Sequence, residues 1–304
     1  MVRMINPTLR STLSVAAGLV LATGLFAQDA APAAAPAKPA PPKIDFPAVS
    51  PAASVKQRVG FTDIEVNYSR PSMRGRKIFG GLQPYGEIWR TGANNATKIT
   101  FSTPVKFGGT NVPAGSYALF SIPGETEWTV ILNNVVGQWG AYAYDAKNDV
   151  VRISAKPFAL PLPVETFMVT FNHVHEDSAL LELAWEKTLV PVKIEVDVVS
   201  TIVPQIKGAM AATEGKKPYF ASAMFYYDNN LDLKQAAEWM DAAIAEQPDA
   251  FYMVYRKGLI LEKAGDKAGA LAAAQKSLEM SKKAPGLVGT EYTRLNEALI
   301  ARVK

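Results

Sequence analysis
The spacing of apolar residues changes once along this chain, near Val199, and the change divides the fold into two successive parts. Upstream, Ile64, Val66 and Tyr68 alternate with Asp63, Glu65 and Asn67 over 62–68. Side chains two residues apart share one face of a strand, so the stretch reads as half-buried β-structure. The segments 96–101, 115–122, 127–132, 150–155, 165–174, 179–186 and 190–198 read the same way, punctuated by Pro104, Gly108-Gly109, Pro113, Pro123-Gly124, Pro157, Pro161, Pro163 and Pro191. Many short strands without amphipathic helices between them predict a mainly β sandwich over 44–199, immunoglobulin-like or jelly-roll in style. Downstream the period is helical. A connecting helix over 202–212 leads into an all-α domain over 200–304.

That second part repeats itself. Asp232-Leu-Lys-Gln-Ala236 matches Asp266-Lys-Ala-Gly-Ala270 at an offset of 34 residues, as do Met240 with Ala274, Ala243 with Ser277, Met224 with Gly258 and Tyr227 with Leu261. Small residues at Ala236, Ala243, Ala270 and Ser277 let paired helices approach closely. The period and the small positions resemble tetratricopeptide repeats, with Pro248 closing the first unit and 290–303 forming a cap. Such arrays present protein-binding grooves, so a protein partner is expected through 200–304. The other reading is a helical appendage that stabilises the sandwich.

Between the strand ending at Tyr68 and the one starting near Thr97 lies the densest run of Gly, Pro, Arg, Asn and aromatic residues in the chain. Glycine reaches backbone angles closed to other residues and proline fixes φ, so 68–97 is expected to be an ordered loop. Ile78, Phe79, Leu82, Tyr85, Ile88 and Trp89 are too apolar for a free coil. Arg70, Arg74, Arg76, Lys77 and Arg90 crowd it, opposed by Glu87 alone. Guanidinium groups bind carboxylate, phosphate and sulfate in forked pairs, and they also staple long loops through backbone carbonyls. By the same token Tyr85, Trp89, Trp139, Tyr142 and Tyr144 read either as a stacking platform for sugars or as the loop's own small core. The candidate ligand-binding set is Arg70, Arg74, Arg76, Tyr85, Trp89, Arg90 and Asn94, for an anionic or glycan ligand. Arg70 and Arg90, beside Pro71 and Trp89, lean to a structural role, and Arg74 and Arg76 to exposure.

Ser50-Pro-Ala-Ala-Ser-Val-Lys-Gln-Arg-Val-Gly60, Tyr68-Ser-Arg-Pro71, Gly75-Arg-Lys-Ile-Phe-Gly80, Pro84-Tyr-Gly-Glu-Ile-Trp-Arg-Thr-Gly-Ala-Asn94 and Pro113-Ala-Gly-Ser-Tyr-Ala-Leu-Phe120 carry a resemblance, as do Trp128-Thr-Val-Ile-Leu-Asn133, Trp139-Gly-Ala-Tyr142 and Trp185-Glu186. Together they resemble the family catalogued as domain of unknown function 2911. The resemblance covers about 50–197 and implies an exported β-domain without an established activity.

Export is also read directly. Arg3 and Arg10 precede the apolar run 13–22, and 1–27 reads as a signal peptide. The run is shorter than the ~20 residues of a membrane span, so no span is expected after cleavage. Residues 28–43 are almost wholly Ala, Pro and Lys, an extended linker. Periplasmic or extracellular location follows. The chain has no cysteine, which excludes disulfides, thiol catalysis and Cys-based zinc sites. Its net charge of +4 includes Arg3, Arg10, Lys38 and Lys43 outside the fold, and no basic stripe remains to suggest nucleic acid.

His173 and His175 are the only histidines. Alternation would place both on one strand face, with Glu176 or Asp177 as a third ligand, but no distant partner completes a site and neither metal nor cofactor is expected. Ser69, Ser72 and Thr91 lack a base at hand. No Gly-x-Ser-x-Gly elbow, phosphate loop or dinucleotide pattern is present. The expected function is a non-catalytic binding or scaffolding module. The alternative is an envelope hydrolase or other enzyme acting on an anionic or glycan substrate through 68–97.

Overall fold
The computed structural model describes residues 44–304; the signal-peptide reading of 1–27 and the linker at 28–43 lie outside them. Residues Pro47–Lys304 form one compact unit. Ten strands come first: β1 (Ala52–Val59), β2 (Thr62–Ser69), β3 (Thr97–Phe101), β4 (Val105–Phe107), β5 (Thr110–Val112), β6 (Gly115–Ile122), β7 (Trp128–Asn133), β8 (Asp149–Ala155), β9 (Phe158–Asn172) and β10 (Ser178–Glu195). Every pairing between them is antiparallel. They make a six-stranded sheet in the order β1-β2-β3-β6-β7-β8 and a four-stranded sheet in the order β5-β4-β10-β9.

The alternation of the sequence sets which face turns inward. Ile64 and Val66 of β2, Ile99 and Phe101 of β3, Trp128 and Val130 of β7, and Leu181, Leu183 and Trp185 of β10 share one buried cluster. Both sheets thus feed the same core, and the polar residues between these positions face away. β6 and β7 depart from strict alternation, because Ala118, Phe120 and Ile131 on their other face are buried too. Ile88, Ala141 and Tyr144 pack over them.

Three elements were hidden from the period. β1 has only Ala53, Val55 and Val59 at alternate positions, with Gln57 among them; it is an edge strand whose place is fixed by pairing with β2. β4 and β5 have three residues each. β9 starts well before the predicted 165, running through Pro161 and Pro163; it is the edge of its sheet, where a missing N–H breaks no ladder. β10 is continuous across 187–189, with register shifts on both sides of Glu186, whose φ is +54°. Pro191 falls between the stretch paired to β9 and the stretch paired to β4.

Six helices follow: α1 (Val199–Ala211), α2 (Tyr219–Asp228), α3 (Leu233–Glu246), α4 (Phe251–Lys263), α5 (Lys267–Ser281) and α6 (Gly286–Val303). The offset of 34 residues survives as two equivalent helix starts: Asp232 caps α3 by accepting from Gln235 N, and Asp266 caps α5 by accepting from Gly269 N. Ala236, Ala243, Ala270 and Ser277 are all buried at helix contacts, and a methyl on Gly258 would lie 2.9 Å from Leu299 Cδ2. No helix among the described residues is long and apolar enough to cross a membrane.

Candidate functional site
The segment between β2 and β3 joins neighbouring strands of one sheet, yet travels to the other sheet and back. Leaving β2, it runs beside the β9 edge: Phe167 N donates to Pro71 O at 2.8 Å and Met73 N to Glu165 O at 2.8 Å. Arg74 (φ +50°) and Gly75 (φ +72°) then reverse the chain. The Arg76 guanidinium closes that turn, donating through Nε to Met73 O at 2.9 Å and through Nη2 to Ser72 O at 2.8 Å. Ile78 and Phe79 follow, both buried. The return leg meets β6, where Trp89 and Ser121 exchange backbone hydrogen bonds of 2.7 and 2.8 Å. Trp89 thereby extends the ladder that β3 makes with the earlier part of β6.

Burying Ile78, Phe79 and Trp89 contributes about 1.5–3 kcal/mol each against the ordering entropy of the loop. The three side chains enter the core shared by both sheets. Trp89 is 3% exposed and stacks on Trp185 with centroids 5.8 Å apart and planes 20° apart. Trp128 and Phe167 meet its ring edge-on. The indole N–H is satisfied internally by Gly92 O at 3.0 Å. Trp89 is therefore a core residue, which corrects its place in the candidate ligand set; its apolar surface has no ligand-facing side.

The other candidates divide. Arg70 is half-buried, its Nε donating to Phe167 O at 3.0 Å, so it staples the loop to β9. Asn94 is half-buried and takes φ +59°; its Nδ2 reaches Ser69 Oγ at 3.2 Å and Ser50 O at 3.3 Å. Tyr85 is partly exposed, lying against Gly80, where a methyl would come 2.7 Å from the ring. Burial raises its phenol above the ordinary value, helped by Glu125 and Glu186. Arg74 and Arg76 are exposed. The Arg74 amide is fixed by Glu165 Oε1 at 2.9 Å, and its Nη2 is 3.5 Å from Val49 O.

Arg90 is brought to a different neighbourhood, the segment between β7 and β8. That segment is pinned from below by Asn133, which is fully buried. Its Nδ2 donates to Asp145 O at 3.1 Å and to Asp149 Oδ1 at 2.8 Å, while its Oδ1 accepts from Val135 N at 3.0 Å and Gln138 Nε2 at 3.3 Å. Tyr144 OH donates to Asp149 Oδ2 at 2.7 Å and accepts from Arg152 Nη1 at 2.9 Å. Burial, then Asp149, pushes the Tyr144 phenol up to about 12. The segment is also tied to the loop, since Ala96 N donates to Gln138 O at 2.8 Å and Gly140 N to Asn94 O at 2.9 Å.

On this fixed base Trp139 is 64% exposed and Tyr142 is 86% exposed. Gly140, at φ +68°, lies between them. A methyl there would meet the Tyr142 ring at 2.6 Å and Arg90 Nη1 at 3.0 Å, so the guanidinium and the phenol both close on one glycine. Arg90 Nε is buried without a hydrogen-bond partner among the described residues, and so is Gln138 Oε1. The surface offers one cation, two aromatic faces and unspent hydrogen-bonding capacity. Charge on the ligand side would be matched by Arg90, and flat apolar faces by Trp139 and Tyr142.

The histidines are placed otherwise than alternation predicted. β9 ends at Asn172, and His173 takes φ +48° in the turn that follows. The two imidazoles therefore do not share a strand face. Both are exposed, and no group of three or more metal-ligating side chains occurs among the described residues.

No curated protein and no solved structure matches the chain. Residues 50–194, the ten strands and the loop between β2 and β3, match the model of a family described as "Protein of unknown function (DUF2911)".

Proposed function
We propose that the protein is an exported, non-catalytic binding module that holds an acidic glycan on the surface formed by Arg90, Trp139 and Tyr142. The observation that carries this reading is the Arg90–Gly140–Tyr142 contact beside an exposed Trp139, all on backbone pinned by the buried Asn133. Exposed aromatic side chains on rigid backbone lose little entropy on stacking against a sugar ring. Arg90 would pair with a uronate or sulfate on that sugar. In this reading the two sheets form a sandwich of jelly-roll or immunoglobulin style, and α2–α5 are two tetratricopeptide-like pairs capped by α6. The helical part would hold a protein partner and so serve as the scaffold. The leader-like 1–27 and the Ala/Pro-rich 28–43 support export, which mass spectrometry of envelope material checks: the mature chain should start after residue 27, and an intact Met1 in the cytosol would sink it.

The test of the binding surface is calorimetric titration with a galacturonic acid oligomer and the matching neutral galactose oligomer. The acidic oligomer should bind more tightly, and Trp139→Ala and Arg90→Gln should each weaken it by about tenfold or more, the loss of one good contact. Arg74→Ala, which keeps the two Arg76 hydrogen bonds that close the turn, should weaken it less and leave thermal stability nearly unchanged. Equal binding to wild type and Trp139→Ala would overturn the assignment. Turnover of a glycoside, ester or peptide substrate that is lost with an arginine of the loop would replace it with the enzyme alternative.

A further inference from the structure
At the crossing from strands to helices, sharing no residue with the aromatic surface, lies a cavity of about 330 Å³. Part of its lining is apolar: Phe61 from the turn after β1, Val198, Ile202 of α1 and Phe225 of α2. Another part is acidic, with Glu176 and Asp177 from the turn between β9 and β10 and Asp228 at the end of α2. We propose that this cavity binds a small organic cation, a primary ammonium group carried on an apolar body.

The three carboxylates come from two separate elements, and none forms an ion pair among the described residues. The Asp177 carboxylate accepts one hydrogen bond, from Ser178 Oγ at 3.0 Å. Asp228 is also the last residue of α2. Burial raises the Asp228 carboxyl above its ordinary value; Arg256 and Lys263 on α4 act against that, and Glu176 adds to it. Lys263 already serves this helix end, its Nζ donating to Tyr227 O at 2.6 Å and lying 4.5 Å from the centre of that ring, and Lys193 on β10 acts on Asp177. A cation beside the carboxylates relieves the Glu176–Asp228 repulsion, and its apolar part covers Phe61 and Phe225. An anion would meet three carboxylates, and a neutral apolar molecule would gain nothing from them. The volume suits a body of about six to ten heavy atoms, near the lower end of ligand pockets.

The experiment titrates the full chain with hexylammonium, hexanol and hexanoate, followed by calorimetry or by chemical shifts of residues around the cavity. Hexylammonium should bind saturably and about tenfold or more tighter than hexanol, with no binding of hexanoate. Asp228→Asn and Glu176→Gln should each weaken it several-fold, and Phe61→Ser should weaken it as well. Asp241→Asn, on α3 and away from the cavity, should leave it unchanged. Glu176 lies in an exposed turn, so its variant keeps the test valid if Asp228→Asn folds poorly. Blocked lysine, titrated in parallel, separates two sources of the cation: affinity equal to hexylammonium assigns the site to a partner's lysine side chain, weaker affinity to a free amine. Hexylammonium binding no tighter than hexanol, or weakened as much by Asp241→Asn as by Glu176→Gln, would overturn the proposal.

Discussion

Trp89→Ala and Trp139→Ala are expected to separate stability from binding within one residue type. Removing Trp89 deletes a ring held among Trp185, Trp128, Phe79 and Phe167, at a cost of about 3–5 kcal/mol. Removing Trp139, which stands mostly in solvent, should change stability by no more than about 0.5 kcal/mol. Urea denaturation of the two variants measures both numbers; comparable losses would mean that Trp139 is packed. Tyr144 makes a separate prediction, in alkali. Its phenol titrates near 12 in the folded chain against an ordinary value of 10.0, so the folded state favours the protonated form. That contribution is complete below pH 10 and is lost as pH rises toward 12, where the unfolded chain ionises first. The difference in melting temperature between wild type and Tyr144→Phe should therefore be constant below pH 10 and narrow above it. A difference that widened above pH 10 would reverse the sign and place the tyrosinate, not the phenol, in the folded network.

Helix caps are the simplest devices at the scale of elements. Asp232 and Asp266 each satisfy an amide in the first turn of α3 and α5, and replacing either with Ala should cost about 1 kcal/mol. Equal losses at the two sites would show that the equivalence at an offset of 34 residues is energetic as well as geometric. Because a cap is local, these starts could be read from sequence, as could the small residues at the helix contacts. The strands with a clear inward face, such as β2, β3 and β7, were legible for the same reason. What escaped was set by pairing. β1 is weakly apolar and is held by its ladder to β2, while the prolines of β9 are harmless only because it lies at an edge, which no local pattern reveals. At the site, the loop's order followed from its composition. Which aromatics turned inward did not: Trp89 bridges to Ser121 on β6 and buries its ring between the sheets, whereas Trp139 bridges to Asn95 and leaves its ring exposed. The distance in sequence between Arg90 and Gly140 likewise concealed that the two meet.

Across the whole molecule, one side chain belongs to two cores. Phe225 of α2 packs against the cluster shared by the sheets and also against the cluster of α1–α4. The chain itself crosses at the same place, with Val196 and Val198 buried in the strand cluster immediately before α1 begins. Two parts joined through both covalent continuity and a shared apolar contact should unfold together, since neither can open without exposing surface of the other. Four of the five tryptophans, at 89, 128, 139 and 185, report the strands, and far-ultraviolet dichroism is dominated by the helices. In wild type the two urea transitions should coincide. Phe225→Ala removes a half-buried ring and should cost about 1–3 kcal/mol, less than a fully enclosed phenylalanine. Much of that loss falls on the contact between the clusters, so the helical transition should move to lower urea than the fluorescence transition. Transitions that remain superimposed in the variant would assign the coupling to the crossing at Val196–Val198 instead, and transitions already separate in wild type would show two independent folding units.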